Sequence, residues 1–346
     1  MALKIIRQAN KIALIGAPVS AGAHGLGPER APQALRDAGI VAKLTEAGFE
    51  VTDMGDIPAH AFVADDDSPR ARNLRGVVNA SLALKPLVEV AVKSGALPLI
   101  LGGDCTIALG VIAGVRRYYP QVCLMYCDGD ADLNTPATTP SGFVEGMVVA
   151  HIAGQGAPEL VRITSDTPLV REPDIALFGT ARLDPGEEAF LQRSPMRHYS
   201  SDEIRRKGAE VIARQAVERI HSGKKQMILH FDVDVISSTE MPAAIFGDEN
   251  GLSFAQTEAA LRIFCEREAL AAILVTEYIA EKDADRAAAR KLIDLLVGAL
   301  RARLTQRVEQ PQETVLPAAS AGAATEEEPK PSESERTESS DAAITS

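Results

Sequence analysis

The chain repeatedly alternates a short apolar run with a segment of helical periodicity. Apolar runs fall at residues 12–16, 49–54, 96–101, 122–127, 174–178, 226–231 and 271–278. Most lack the polar alternation of a strand with one wet face, so they read as strands buried on both sides. Helical spacing is expected over residues 31–38, 41–47, 72–93, 107–116, 141–153, 201–221, 253–268 and 283–304. Pro86 should kink or divide the third of these. Strict strand–helix alternation implies an α/β fold, a mostly parallel sheet with helices on both faces. No linker-like stretch interrupts residues 1–304, which read as one domain. Residues 305–346 hold nine acids and three bases and are rich in Glu, Ser, Pro and Ala without aromatics. Such a segment buries too little apolar surface to offset chain entropy, so a disordered tail is expected there.

The strand at 122–127 runs directly into Asp128-Gly129-Asp130-Ala131-Asp132. Alternate residues of an extended segment share a face, so three carboxylates can converge where a core strand ends. Like charges that close repel unless protons or a cation intervene. Far down the chain a second strand ends in Asp232-Val233-Asp234 with the same spacing. Ligands of open α/β sheets bind at the carboxyl ends of the strands. Two such acid pairs at strand ends therefore point to a site for two hard cations that activate a water. His230, just before the second pair, shares its face by alternation and is the histidine nearest the expected metals, in a supporting or structural role.

The net charge of -12 argues against nucleic-acid or anionic-membrane partners. The four cysteines, Cys105, Cys123, Cys127 and Cys265, form no C-x-x-C pair and read as reduced thiols of a cytoplasmic protein. No apolar run is long enough for a membrane span, and residues 1–7 lack a signal-peptide core. The glycine-rich loop at residues 17–28 matches neither phosphate-binding pattern.

Taken in order, Ile15-Gly16-Ala17-Pro18, Gly102-Gly103-Asp104, Asp128-x-x-x-Asp132-x-Asn134-Thr135-Pro136, Ser141-Gly142, Asp184-Pro185-Gly186-Glu187, Phe231-Asp232-Val233-Asp234 and Val275-Thr276-Glu277 resemble the arginase–agmatinase (ureohydrolase) family over roughly residues 10–300. The resemblance implies a three-layer α/β/α fold with a central sheet of about eight parallel strands. It also implies two divalent ions, Mn²⁺ in the family, and homo-oligomers, often trimers or hexamers. The expected activity is hydrolysis of a linear amidine: a hydroxide bridging the two ions attacks a guanidinium carbon, and an arginine-like substrate yields urea and an amine. By the resemblance Asp128 and Asp232 bridge the metals, while Asp132 and Asp234 each complete one shell. Glu277 grips the guanidinium. Asn134 and Ser141 contact the substrate's α-carboxylate, and Asp184 and Glu187 its amino group.

The departures are equally specific. Cys105, Asp130 and Glu145 stand where the family carries histidines, Ser237-Ser238 replaces an Asp-Pro, and Phe246 replaces a pocket threonine. Thiolate and carboxylate are competent ligands, so the expected metal set is Cys105, Asp128, Asp130, Asp132, Asp232 and Asp234, with Zn²⁺ or Fe²⁺ as alternatives to Mn²⁺. Glu145 is the candidate proton carrier in place of a histidine. His24 lies in a loop that borders the family's pocket. Two alternatives follow from the lost histidines and Phe246: a non-catalytic metal- or ligand-binding member of the fold, and a hydrolase of a formimidoyl-type amidine.

Overall fold

Eight segments pair side by side into one sheet: β1 (Lys11–Gly16), β2 (Glu50–Asp56), β3 (Leu97–Leu101), β4 (Val122–Cys127), β5 (Ile175–Thr180), β6 (Arg197–Ser200), β7 (Gln226–Asp232) and β8 (Leu270–Thr276). Every pairing is parallel, in the order β2-β1-β3-β8-β7-β4-β5-β6. This computed structural model describes residues 5–304 apart from 222 and 224; the expected tail at 305–346 lies outside the described residues.

The helices are α1 (Ala31–Asp37), α2 (Ile40–Glu46), α3 (Leu74–Lys93), α4 (Ile107–Arg116), α5 (Val148–Ile152), α6 (Pro158–Val161), α7 (Pro185–Arg193), α8 (Ser201–Lys207), α9 (Ala209–Ile220), α10 (Phe254–Cys265) and α11 (Ala287–Leu300). They divide between the two faces of the sheet. Leu97, Leu99, Cys123, Met125, Met227 and Leu229 turn toward α1, α2, α9, α10 and α11. Ile100, Leu124, Tyr126 and Ile228 turn toward α3, α4 and α5. The period-two alternation thus distributes one strand's side chains between two cores, and the result is a three-layer α/β/α fold.

Four local expectations change. Pro86 neither ends nor divides α3, which runs unbroken from Leu74 to Lys93. The segment expected as one helix over 201–221 is two, because Gly208 adopts φ 94° between them, a left-handed value a helix interior cannot contain. The helix expected from Ser141 is only a 3₁₀ turn at Glu145–Met147 leading into α5. Edge strand β6 has no counterpart among the expected runs. All four cysteines are free and buried. Among the described residues no helix is long and apolar enough to cross a membrane.

Candidate metal centre and active site

The sheet order brings β3, β8, β7 and β4 together as central neighbours, and their carboxyl ends build the site. β3 runs into Gly102-Gly103-Asp104-Cys105. Gly102 and Gly103 have φ 43° and 120°, and a Cβ on Gly103 would lie 2.6 Å from the Ala17 carbonyl oxygen. Glycine lets the turn pass that close. Asp104 then accepts N–H bonds from Gly22 (2.8 Å) and Thr106 (2.9 Å), fixing the glycine-rich loop that carries His24. The Cys105 N–H donates to Glu277 Oε1 at 3.0 Å, which ties the end of β3 to the end of β8.

All twelve residues expected from the sequence line one cavity of about 470 Å³, together with His24, Arg182 and Phe246. Nine of the lining side chains are carboxylic acids and one, Arg182, is a permanent cation. Among the described residues two compact donor groups emerge, each with its ligand atoms within 4.8 Å of one another: Cys105, Asp128, His230 and Asp232 in one, and Asp128, Asp130 and Asp234 in the other. In the first, Cys105 Sγ lies 2.9 Å from Asp232 Oδ2 and 3.5 Å from His230 Nε2. Asp232 also accepts the Thr276 hydroxyl at 2.9 Å and the Asp234 N–H at 2.8 Å. His230 is wholly buried, stacked on Tyr126 with ring centroids 4.0 Å apart, and its Nδ1 has no partner.

Asp132 falls in neither group among the described residues. It adopts φ 50°, and the Tyr126 hydroxyl donates to its carboxylate. Asp130 is held by Arg182, whose Nε and Nη2 donate to its two oxygens at 2.9 and 2.5 Å. Asn134 donates to Asp184 at 2.8 Å and accepts the Thr138 hydroxyl at 3.0 Å. Ser141 Oγ accepts the Phe143 N–H at 3.3 Å. Both oxygens of Glu187 are taken by backbone N–H groups, of Leu133 at 2.9 Å and of Asp184 at 2.8 Å. Glu187 therefore fastens the turn that presents Asn134 and Asp184.

Burial with this density of like charge leaves its mark on the acids. Asp128, Asp234 and Glu277 are held well above the ordinary carboxylate range, by desolvation first and by neighbouring carboxylates second. Glu145 is raised for the same reasons, while burial lowers His24 to about 4. The two meet at 2.5 Å, Nδ1 to Oε1. The Glu145 and Glu277 carboxyls interact with each other, and one buried oxygen of each has no other partner.

The chemistry of the first group fits a divalent ion. Sulfur, imidazole and two carboxylates form a mixed donor set of the kind that binds zinc and other first-row metals, and uncompensated carboxylates this close call for a cation. The second group offers only oxygens, and a guanidinium already lies against two of them.

The sequence matches the model described as "Arginase family" over residues 10–300. The chain belongs to the arginase family. Arginase-1 of Rattus norvegicus is 34% identical over 250 residues, covering 70% of this chain and 76% of the rat protein. The native arginase structure from Bacillus caldovelox superposes with a TM-score of 0.79 at 26% identity, covering 87% of this chain and all of that one. The formimidoylglutamase structure from Bacillus subtilis shares the fold, with a TM-score of 0.68 at 18% identity, covering 85% of this chain and 87% of that one. Within the arginase family frame, the sequence motifs account for the acids, but Arg182 carries no signal beyond standing two residues before Asp184. His24 reaches the cavity through tertiary packing of the loop after β1, and His230 reaches the first donor group through strand alternation.

Proposed function

We propose that the chain is a metal-dependent hydrolase of linear amidines, acting on a guanidino compound of amino-acid type to give urea and an amine. The observation that carries this reading is Glu277: a buried carboxylate beside the Cys105–Asp128–His230–Asp232 group, with one oxygen fixed by the Cys105 N–H and the other given no donor but the Glu145 carboxyl. A planar guanidinium offers paired N–H donors that match such a carboxylate, and the acidic cavity favours a cationic substrate. Residues Cys105, Asp128, His230 and Asp232 would hold the ion, and a divalent ion so bound makes water nucleophilic near neutral pH. The thiolate suits Zn²⁺ or Fe²⁺ as well as Mn²⁺. Asn134, Ser141 and Asp184, at the rim, orient the far end of the substrate. The Glu145–His24 pair supplies a proton to the departing amine, and His24, half-exposed, returns it from solvent. Three or six copies of the chain form a homo-oligomer in the cytoplasm on this reading, and light scattering tests the number.

The test is the metal-loaded chain with a panel of guanidino compounds, read by urea release. Glu277→Gln is expected to lower kcat/KM by about 10²-fold or more, the scale of losing one preorganised charge contact. Undiminished turnover in that variant would sink the assignment. Phe246, an apolar side chain at the cavity mouth, favours a second reading, a formimidoyl-type substrate, and formamide in place of urea would select it. No product from either class, with metal bound, would leave a binding protein.

A further inference from the structure

Arg182 lies against the second donor group. Its Nε and Nη2 take both oxygens of Asp130, and the same Nη2 lies 3.4 Å from Asp234 Oδ2. Nη1 donates to the Phe246 carbonyl at 2.6 Å and stands 3.9 Å from Asp248. The arginine is placed by backbone as well as by charge: the N–H groups of Ala181 and Arg182 both donate to the Gly129 carbonyl, at 2.8 and 3.1 Å. The end of β5 is thereby fastened to the loop that carries Asp130. A guanidinium cannot lose its proton in a protein, and its planar fork matches a carboxylate at two points. A divalent ion entering this group would have to break that two-point contact and sit beside a fixed positive charge.

Nothing comparable guards the first group. Its neighbours are the Tyr126 ring, the Thr276 hydroxyl and Glu277, and no Lys or Arg side chain is paired with Cys105, Asp128 or Asp232 by any contact described. It also regains an imidazole: with cysteine, aspartate and glutamate at positions 105, 130 and 145, His230 of β7 supplies a nitrogen 3.5 Å from Cys105 Sγ and 3.6 Å from Asp128 Oδ2. We propose that the chain binds one divalent ion, through Cys105, Asp128, His230 and Asp232, and that the guanidinium of Arg182 permanently fills the second cation position. This rests on the metal-dependent reading above and replaces the two-ion centre expected from the resemblance. Arg182 supplies the neutralising charge for Asp130 and Asp234, while a single ion remains to activate water.

The test is a Co²⁺ titration of the full chain, with calorimetry for stoichiometry and thiolate-to-cobalt charge-transfer absorption for the sulfur ligand. One equivalent is expected, with the absorption saturating at that point. Cys105→Ser should abolish the absorption and weaken binding by at least about tenfold, and His230→Gln should weaken binding but keep the absorption. Arg182→Ala should admit a second equivalent without changing the absorption. Asp130→Asn should leave the count at one, whereas in a two-ion centre it would drop from two. Circular dichroism of each metal-free variant checks its fold, and Asp130→Asn decides the matter should Arg182→Ala unfold. Two equivalents in the intact chain, none at all, or one whose absorption survives Cys105→Ser would each overturn the proposal. A folded Arg182→Ala that still binds one overturns the part assigned to Arg182. Urea and formamide release from the same samples separates the two conclusions. One ion without hydrolysis removes the catalytic reading alone, and two ions with hydrolysis removes the one-ion proposal alone.

Discussion

Glu145 stands where the family pattern has a histidine, and an imidazole arrives beside it from elsewhere in the chain. His24 meets its carboxyl at 2.5 Å and packs its ring 3.8 Å from that of Phe143. If the pair carries the proton, His24→Ala should lower kcat by about 10²-fold or more with little change in KM. Added imidazole should restore part of the rate. An unchanged kcat removes the pair from the proton path. A different histidine contributes to the pH dependence of stability. His151 is buried, with Nδ1 2.7 Å from the Met147 carbonyl and Nε2 accepting the Ala157 N–H at 3.0 Å. Both nitrogens are committed to the neutral ring, and burial lowers it to about 4. Below its ordinary value near 6.5 the unfolded chain takes the proton first. Stability therefore falls as pH drops from about 6.5 to about 4, by about 3 kcal/mol for this group. Urea unfolding at pH 7 and pH 4.5, compared between the native chain and His151→Gln, should show a pH-dependent loss smaller by about that amount in the variant. At this scale the acids are legible because each ends a strand or belongs to a motif. Arg182 is not, and His24 is placed only through the resemblance, since no local spacing encodes where a loop folds back.

The same contrast holds for elements. The buried strands and amphipathic helices announce themselves by period. Strand β6, Arg197-His198-Tyr199-Ser200, is short, at the sheet edge and largely polar, so register with β5 defines it rather than its own pattern. The continuity of α3 through Pro86 has a tertiary cause too. The proline leaves the Leu82 carbonyl without its helical donor, on a turn whose side chain is half-exposed, where water can serve. Meanwhile α4 clamps the opposite face. A Cβ on Gly114 would lie 2.8 Å from the Lys85 carbonyl oxygen and 2.7 Å from Val88 Cβ, and one on Gly110 2.7 Å from the Ser81 carbonyl oxygen. Helices α3 and α4 thus touch almost backbone to backbone. Gly114→Ala should cost about 1–3 kcal/mol by forcing them apart, seen as a lower midpoint in chemical denaturation. A neutral result would show that the interface yields.

Across the whole molecule, the donors of the first group come from the ends of β3, β4 and β7, with Thr276 and Glu277 of β8 packed against them. An ion bound there ties together strands remote in sequence and absent as a set from the unfolded chain. At a concentration 100 times its Kd it should add about 2.7 kcal/mol, or roughly 4 °C in Tm for a chain of this size. Chelation should reverse the shift, and a Tm indifferent to metal and chelator would exclude a formed site. That the sheet is parallel, with its polar ends on one edge, can be read from strand–helix alternation. Its order cannot, because β7 and β8 are inserted between β3 and β4 by contacts that no local signal carries. That insertion has a consequence for a chain emerging from the ribosome. Strands β3 and β4 are made early, yet across a gap two strands wide β4 keeps an unpaired edge until Asp232 has been added and β3 until Thr276. At ordinary rates of synthesis, the stretch after β5 takes roughly 5–20 s to appear. For about the first half of that interval two bare apolar edges, the kind that template aggregation, stand open in the middle of the future sheet, and the β3 edge stays open for the rest. The nascent chain is thus most in need of a chaperone just before its metal centre can first exist.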